Sequence, residues 1–251
     1  MEAYTGFSEV YDTFMDNVPY EEWAGYIINT LKEYGISDGL VCELGCGTGK
    51  MAKILSDSGY DMIGIDSSAD MLDIAHDKRS CDGRILYLNQ DMRQMELYGT
   101  VRAVISVCDS VNYLLSEEDL LTTFKLVNNY LDPKGLFIFD MNTRYKYEKL
   151  LSDNVFAESR DDASFIWENF YDEEEEINEY DLTVFVKEDE LYRRYEEVHF
   201  QKAYDIDKVK TLIERSGLKF IAVYDAYTKE SVREDSDRVI FIAQEITKEA
   251  N

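Results

Sequence analysis

The spacing of apolar positions changes along the chain, and each change marks a boundary. In the first 35 residues they recur at helical spacing, with Trp23, Ile27, Ile28 and Leu31 on one stripe, so residues 1–35 read as a helical N-terminal cap. From Leu40 onward, short apolar runs of strand length alternate with helical stretches. Residues 40–44, 61–66, 84–88, 101–107 and 135–139 read as five buried strands. Three helices are expected between them: residues 51–58; a helix capped by Ser67 or Ser68 that carries Met71, Leu72 and Ala75; and residues 120–131. The start of the last is signalled by Ser116-Glu117-Glu118-Asp119, and Asp132-Pro133-Lys134-Gly135 supplies its stop.

After Asp140 the pattern changes to runs of aromatic and β-branched residues at 165–171, 180–186 and 191–204, joined by acidic turns at 172–176 and 187–190. That is an antiparallel meander. Regular order then returns with a helix over 206–216, Gly217 as its C-cap, and strands at 218–224 and 239–245. The expected fold class is α/β: a doubly wound, mostly parallel seven-stranded sheet formed by residues 36–145 and 205–251. Residues 146–204 are inserted as an antiparallel lid over the strand C-termini, where such sheets bind ligands.

Charge narrows the partners. Lysine and arginine number 26 against 52 acidic residues, a formal net charge of −26, which argues against nucleic acid and favours a neutral or cationic small molecule. The four cysteines form no CxxC pair, and with only two histidines they argue against a structural zinc; no metal is expected. Neither a basic–apolar leader after Met1 nor an apolar run of membrane-spanning length is present, so the expected location is cytoplasmic.

The chemistry is concentrated in Glu43-Leu44-Gly45-Cys46-Gly47-Thr48-Gly49, which closes the first strand and opens a helix. Glycines there permit positive φ and let a ligand approach the backbone, and the following helix N-terminus favours polar ligand groups. Three acids end three successive strands: Glu43, Asp66 and, just past the third, Asp91. Asp66 follows Gly45 at the distance where an acid accepts from ribose hydroxyls; its alternative use is as a helix N-cap, a task Ser67 can perform instead. A nicotinamide dinucleotide fingerprint is the strongest rival, but Lys50 stands where its third glycine belongs.

Taken together, these residues resemble the class I S-adenosylmethionine-dependent methyltransferases, over roughly the whole chain. Glu43 to Gly49 matches the family's E/D-x-G-x-G-x-G turn, Ile63 to Asp66 its ribose acid, and Asn89 to Met92 its adenine segment. The meander, with Tyr11-Asp12-x-Phe14-Met15 and Pro19-Tyr20-x-x-Trp23, is similar to a subgroup of small bacterial enzymes related to sugar N-methyltransferases and glycine N-methyltransferase. The resemblance implies a Rossmann-like methyltransferase fold and S-adenosylmethionine as cofactor. It implies a cofactor site of Glu43, Gly45, Cys46, Gly47, Thr48, Gly49, Asp66, Ser67, Met71, Gln90, Asp91, Met92 and Cys108. In that site Met71 and Met92 would flank the adenine and Asp91 would accept from its amino group.

The acceptor side is expected at Val107-Cys108-Asp109-Ser110-Val111-Asn112-Tyr113, which lacks the N/D-P-P-Y/F sequence of nucleic-acid and some protein amide methyltransferases. Asp109, Asp140 and Asn142 superficially resemble a magnesium ligand set, but Met141 interrupts it, and capping or loop hydrogen bonds serve equally. On the last meander strand Arg193, Tyr195, Glu197, His199 and Gln201 share one face, which is either solvated or lines an acceptor pocket. In the second case His199 or Glu197 is a general base and Arg193 an anion contact. Tyr11, Asp109 and His199 are the catalytic candidates, Tyr11 by resemblance. The expected reaction is in-line methyl transfer to nitrogen or oxygen of a small molecule. The alternatives are an NAD-dependent oxidoreductase and a protein that binds S-adenosylmethionine without turnover.

Overall fold

A computed structural model describes residues 8–78 and 84–248; of the four cysteines, Cys81 lies outside them. The N-terminal stripe forms two helices, α1 (Ser8–Phe14) and α2 (Tyr20–Glu33), divided where Pro19 occupies the N-cap of the second. The core then runs β1 (Gly39–Leu44), α3 (Lys50–Asp57), β2 (Tyr60–Asp66), α4 (Ala69–Lys78), β3 (Ile85–Asn89), β4 (Val101–Ser106), α5 (Glu117–Tyr130) and β5 (Leu131–Asn142). A second sheet follows, made of β6 (Val155–Ser159), β7 (Ala163–Asp172), β8 (Ile177–Glu188) and β9 (Leu191–Lys202). The chain ends with α6 (Ile206–Arg215), β10 (Leu218–Asp225) and β11 (Arg238–Glu245).

The first sheet has seven strands in the order β10-β11-β5-β4-β1-β2-β3. Strands β5, β4, β1, β2 and β3 are mutually parallel, while β11 runs antiparallel to both its neighbours. This is the expected Rossmann-like, doubly wound sheet. Its strands are apolar on both faces because each face is covered: Val41 packs with Ile27, Leu31, Met51 and Leu55 of α2 and α3, whereas Cys42 and Leu44 face Phe124 and Val127 of α5. The direction of winding reverses between β1 and β4, so the ligand crevice opens there. Register brings the strand ends to one edge: Leu44 lies opposite Ile65, and Asp66 opposite Asn89.

Two boundaries depart from expectation. The stop signal at 132–135 falls inside β5, because Leu131 pairs with Val101 before a bulge lets Leu136 pair with Ala103, and Lys134 takes φ +65° to make that bulge. The meander has four antiparallel strands, not three. Its first, β6, sits at an edge with nearly all its side chains exposed and so carries no inward apolar alternation to betray it.

Candidate active site

A cavity of about 900 Å³ opens beyond the ends of β1, β2, β3 and β4. Its floor is the glycine turn. The Gly45 and Cys46 N–H groups both donate to the Ile65 carbonyl, at 2.8 and 3.0 Å, folding the turn back over β2. Gly45 takes φ +69°, and a Cβ there would stand 2.5 Å from Ser110 Oγ, whereas a Cβ on Gly47, at φ +51°, would meet nothing within 4 Å. One glycine is thus demanded by packing, and the other leaves bare backbone facing open space. Gly49 caps α3 against Tyr87 and is not part of the lining; Lys50 begins that helix, with Nζ 4.6 Å from the Tyr20 ring centroid.

The three acids arrive there in different states. Asp66 accepts from Gly47 N–H at 2.8 Å and from Ser68 N–H at 2.9 Å, while burial raises its pKa. It therefore braces the turn, and Ser68 caps α4 by accepting from Met71 N–H at 3.3 Å. Asp91 is gripped by the Arg93 guanidinium at 2.5 and 3.0 Å, which lowers its pKa. Glu43 is 1% exposed, and its Oε2 has no hydrogen-bond partner among the described residues; desolvation holds its pKa well above the usual carboxylate range, offset in part by the Ala52 N–H. Met71 and Met92 line the cavity between these acids, and Gln90 spends its amide on the loop, accepting from Glu96 N–H at 2.9 Å.

Beyond β4 the backbone turns left-handed at two successive residues that are not glycine, Cys108 at φ +55° and Asp109 at φ +53°. Such a turn needs an anchor. Asp140, fully buried at β5, supplies it by accepting from Cys108 N–H at 3.1 Å and Asp109 N–H at 2.6 Å. Arg238 bridges both carboxylates, 2.5 Å from Asp109 Oδ1 and 3.0 Å from Asp140 Oδ2, beneath a Trp23–Tyr227 stack with centroids 4.3 Å apart. Asn142, the remaining member of the magnesium-like set, accepts from Lys146 Nζ at 3.0 Å. Asp109 Oδ2 accepts from Gln201 Nε2 at 2.6 Å, so both Asp109 oxygens are engaged and its side chain is outside the cavity lining.

The second sheet turns a polar face inward. Glu197, His199 and Gln201 are each at most 5% exposed, while Val198 and Phe200 between them face out. His199 Nε2 lies 3.1 Å from Glu197 Oε2, and Nδ1 lies 3.4 Å from the Tyr113 hydroxyl, which is on the cavity wall. Gln201 Oε1 accepts from Tyr147 at 2.9 Å and from Tyr180. Arg193 stands at the exposed end of β9, paired with Glu188 at 2.8 Å and remote from this cluster. Helix α1 joins the two bodies: Thr48 donates to Asp12 at 2.7 Å, Lys78 pairs with Asp12, and Phe14 meets Phe165 of β7 edge-on at 4.8 Å. The Tyr11 side chain faces the cavity next to Tyr20, Cys108 and Tyr113, and burial raises its pKa strongly.

The cavity therefore gathers Tyr11, Glu43, Gly45, Cys46, Gly47, Thr48, Asp66, Ser67, Met71, Gln90, Asp91, Met92 and Cys108, and leaves Gly49, Asp109 and His199 just behind its wall. Sequence reading placed Tyr113 in the acceptor-side segment without giving it a role of its own, and it missed Arg238, a cation within an acidic stretch with no motif around it.

Residues 41–135 match the family model described as "Methyltransferase domain". Over 242 residues the chain is 34% identical to "Putative methyltransferase YqeM" of Bacillus subtilis (strain 168), covering 96% of each protein. It is 26% identical to a glycine/sarcosine N-methyltransferase of Aphanothece halophytica, covering 95% of this chain and 88% of that one. Among solved structures, an S-adenosylmethionine-dependent methyltransferase from Clostridium acetobutylicum ATCC 824 superposes with a TM-score of 0.87 at 26% identity, covering 98% of this chain and 100% of that one.

Proposed function

Because this chain belongs to the S-adenosylmethionine-dependent methyltransferases, we propose that it methylates nitrogen or oxygen of a small-molecule acceptor, seated between the cofactor cavity and the inner face of the second sheet. The residues present fit the cofactor. Glu43 Oε2 is a buried acceptor in want of a cationic donor, the bare backbone at Gly47 leaves room for a ligand, and the cavity is of small-molecule size. Glu43, Gly45 and Gly47 would hold the methionine end, Asp66 with Ser67 the ribose, and Met71, Gln90, Asp91 and Met92 the adenine. When bound, the cofactor supplies a methyl group on a sulfonium, whose departing sulfur is neutral. The protein's part is alignment and exclusion of water.

The observation that carries the acceptor reading is the convergence of Tyr11, Tyr20 and Tyr113 on the cavity beside Cys108. Hydroxyls, aromatic edges and a surplus of nearby carboxylates suit a neutral or cationic amine or hydroxyl compound, and the net charge of −26 repels a polyanion. In this reading residues 1–35 are a cap and residues 146–204 a lid. Tyr11 closes the acceptor chamber from α1, Asp109 fixes the loop beneath it, and His199 is the base behind it. Among the described residues no helix is long and apolar enough to cross a membrane, and Cys42, Cys46 and Cys108 are free thiols; we place the protein in the cytoplasm. The test is incubation with methyl-labelled cofactor and fractionated cell metabolites, in which label should appear in a small amine or alcohol. Formation of S-adenosylhomocysteine with no fraction would refute it.

A further inference from the structure

His199 is the obvious base, yet it has no route to an acceptor of its own. It is 5% exposed, and its two ring nitrogens are directed at protein groups: Nε2 at Glu197 Oε2, 3.1 Å away, and Nδ1 at the Tyr113 hydroxyl, 3.4 Å away. Tyr113 lines the cavity, whereas His199 and Glu197 do not. A carboxylate only accepts hydrogen bonds, so the ring proton belongs on Nε2, and the lone pair on Nδ1 is left to accept from the tyrosine hydroxyl.

We propose that Tyr113, His199 and Glu197 form a proton relay in which Tyr113 is the residue that touches the acceptor. This inference rests on the methyl-transfer reading of the cavity. The acceptor's N–H or O–H bond breaks toward the Tyr113 oxygen while the Tyr113 O–H bond breaks toward His199 Nδ1. The acceptor nitrogen or oxygen attacks the methyl carbon with a lone pair, the pair of the broken N–H or O–H bond takes that lone pair's place, and the methyl carbon's former bonding pair stays on sulfur. The positive charge lost from the sulfonium reappears on the His199 imidazolium, where Glu197 balances it. Without Glu197 that charge would sit unpaired in a buried site, at a cost large enough to stop the transfer.

The surroundings support this order. Tyr180 lies opposite His199 on β8, but its hydroxyl donates to Gln201 Oε1. Asp109, the other carboxylate nearby, accepts from Arg238 and Gln201. Tyr11 faces the same space from α1, with burial raising its pKa, so it serves as a wall and hydrogen-bond donor. The gap of 3.4 Å is long for a hydrogen bond, as such contacts commonly are before substrate tightens them.

The chain has only two histidines, so nitrogen-15 labelling of histidine in the full-length protein gives two ring systems, and His76→Gln identifies the one that remains as His199. The relay requires His199 to be neutral, with its proton on Nε2, and requires Tyr113→Phe to shift its Nδ1 resonance. A proton on Nδ1, or on both nitrogens at neutral pH, would overturn it without any turnover being measured. With a metabolite fraction that supports S-adenosylhomocysteine formation, Tyr113→Phe and His199→Gln should each lower kcat by roughly 100-fold, and the double variant no further, while cofactor affinity by calorimetry is unchanged. Losses that multiply in the double variant would also overturn the relay. If the wild type shows the required tautomer but no fraction is methylated, it is the transfer reading that fails.

Discussion

Glu43 offers a test in which two measurements must move in opposite directions. Its carboxyl is buried at the end of β1 with Oε2 unpartnered among the described residues, whereas Asp66 and Asp91 both have donors. Burial raises its folded pKa above the unfolded value of about 4.3, so between those two values the folded chain binds more protons than the unfolded one. Stability is therefore fully present below the unfolded pKa and is lost as pH rises through the folded one, by about 1.4 kcal/mol per pH unit inside the window. Glu43→Gln removes the titration while keeping an acceptor for the Ala52 N–H. The ligand-free variant should match the wild type in acid and become the more stable of the two as pH rises.

Cofactor affinity should move the other way. A hydrogen bond between a carboxylate and an ammonium is worth about 1.5–3 kcal/mol, so its loss should weaken S-adenosylmethionine binding by about 10- to 150-fold. The wild type should also release a proton on binding, as the incoming cation draws the Glu43 pKa down, and the variant should not. Calorimetry in two buffers of different ionisation enthalpy measures both affinity and proton count, and thermal unfolding across pH measures stability. A variant that is less stable at every pH and binds the cofactor as well as the wild type does would refute this reasoning.

Asp66→Ala removes the acceptor of the Gly47 and Ser68 N–H groups and should weaken cofactor binding at least about tenfold; unchanged calorimetric affinity would show that the crevice is misassigned. Arg238→Met leaves the buried Asp140 and the half-buried Asp109 without their cation and should cost about 3–5 kcal/mol in chemical denaturation, partly restored by adding Asp140→Asn; simple additivity would deny the coupling. Arg160, in the turn between β6 and β7, holds the end of α1 by donating to the Thr13 carbonyl and pairing at 2.7 Å with Asp16 just beyond it on an exposed surface, so Arg160→Ala should leave the melting temperature unchanged but speed amide exchange across Ser8–Phe14. Equal exchange in both proteins would mean that the apolar contacts of Phe14 hold α1 unaided.

How much of this could be read from the sequence depended on whether a feature lay within one segment. The glycine turn, the acids at 43, 66 and 91, and the alternation of β1 to β5 with their helices are local patterns whose spacing carries their geometry, and the cavity is built from them. The inner face of β9 was legible as a group by its period of two, but not its environment: the same alternation fits a solvated face, and only the packing against the core buries Glu197, His199 and Gln201 while leaving Arg193 in solvent. Asp109 shows the limit most clearly. Its position after β4 marked it as a catalytic candidate, while an arginine 129 residues away and a glutamine 92 residues away engage both its oxygens, and no local pattern announces either partner. Most of the cofactor half of such a site is written in the consecutive run from β1 to the loop after β3, because a common ligand needs a common backbone. The acceptor half proposed here draws on α1, the loop after β4, β9 and the start of β11, so its chemistry becomes visible only once those four segments are folded together.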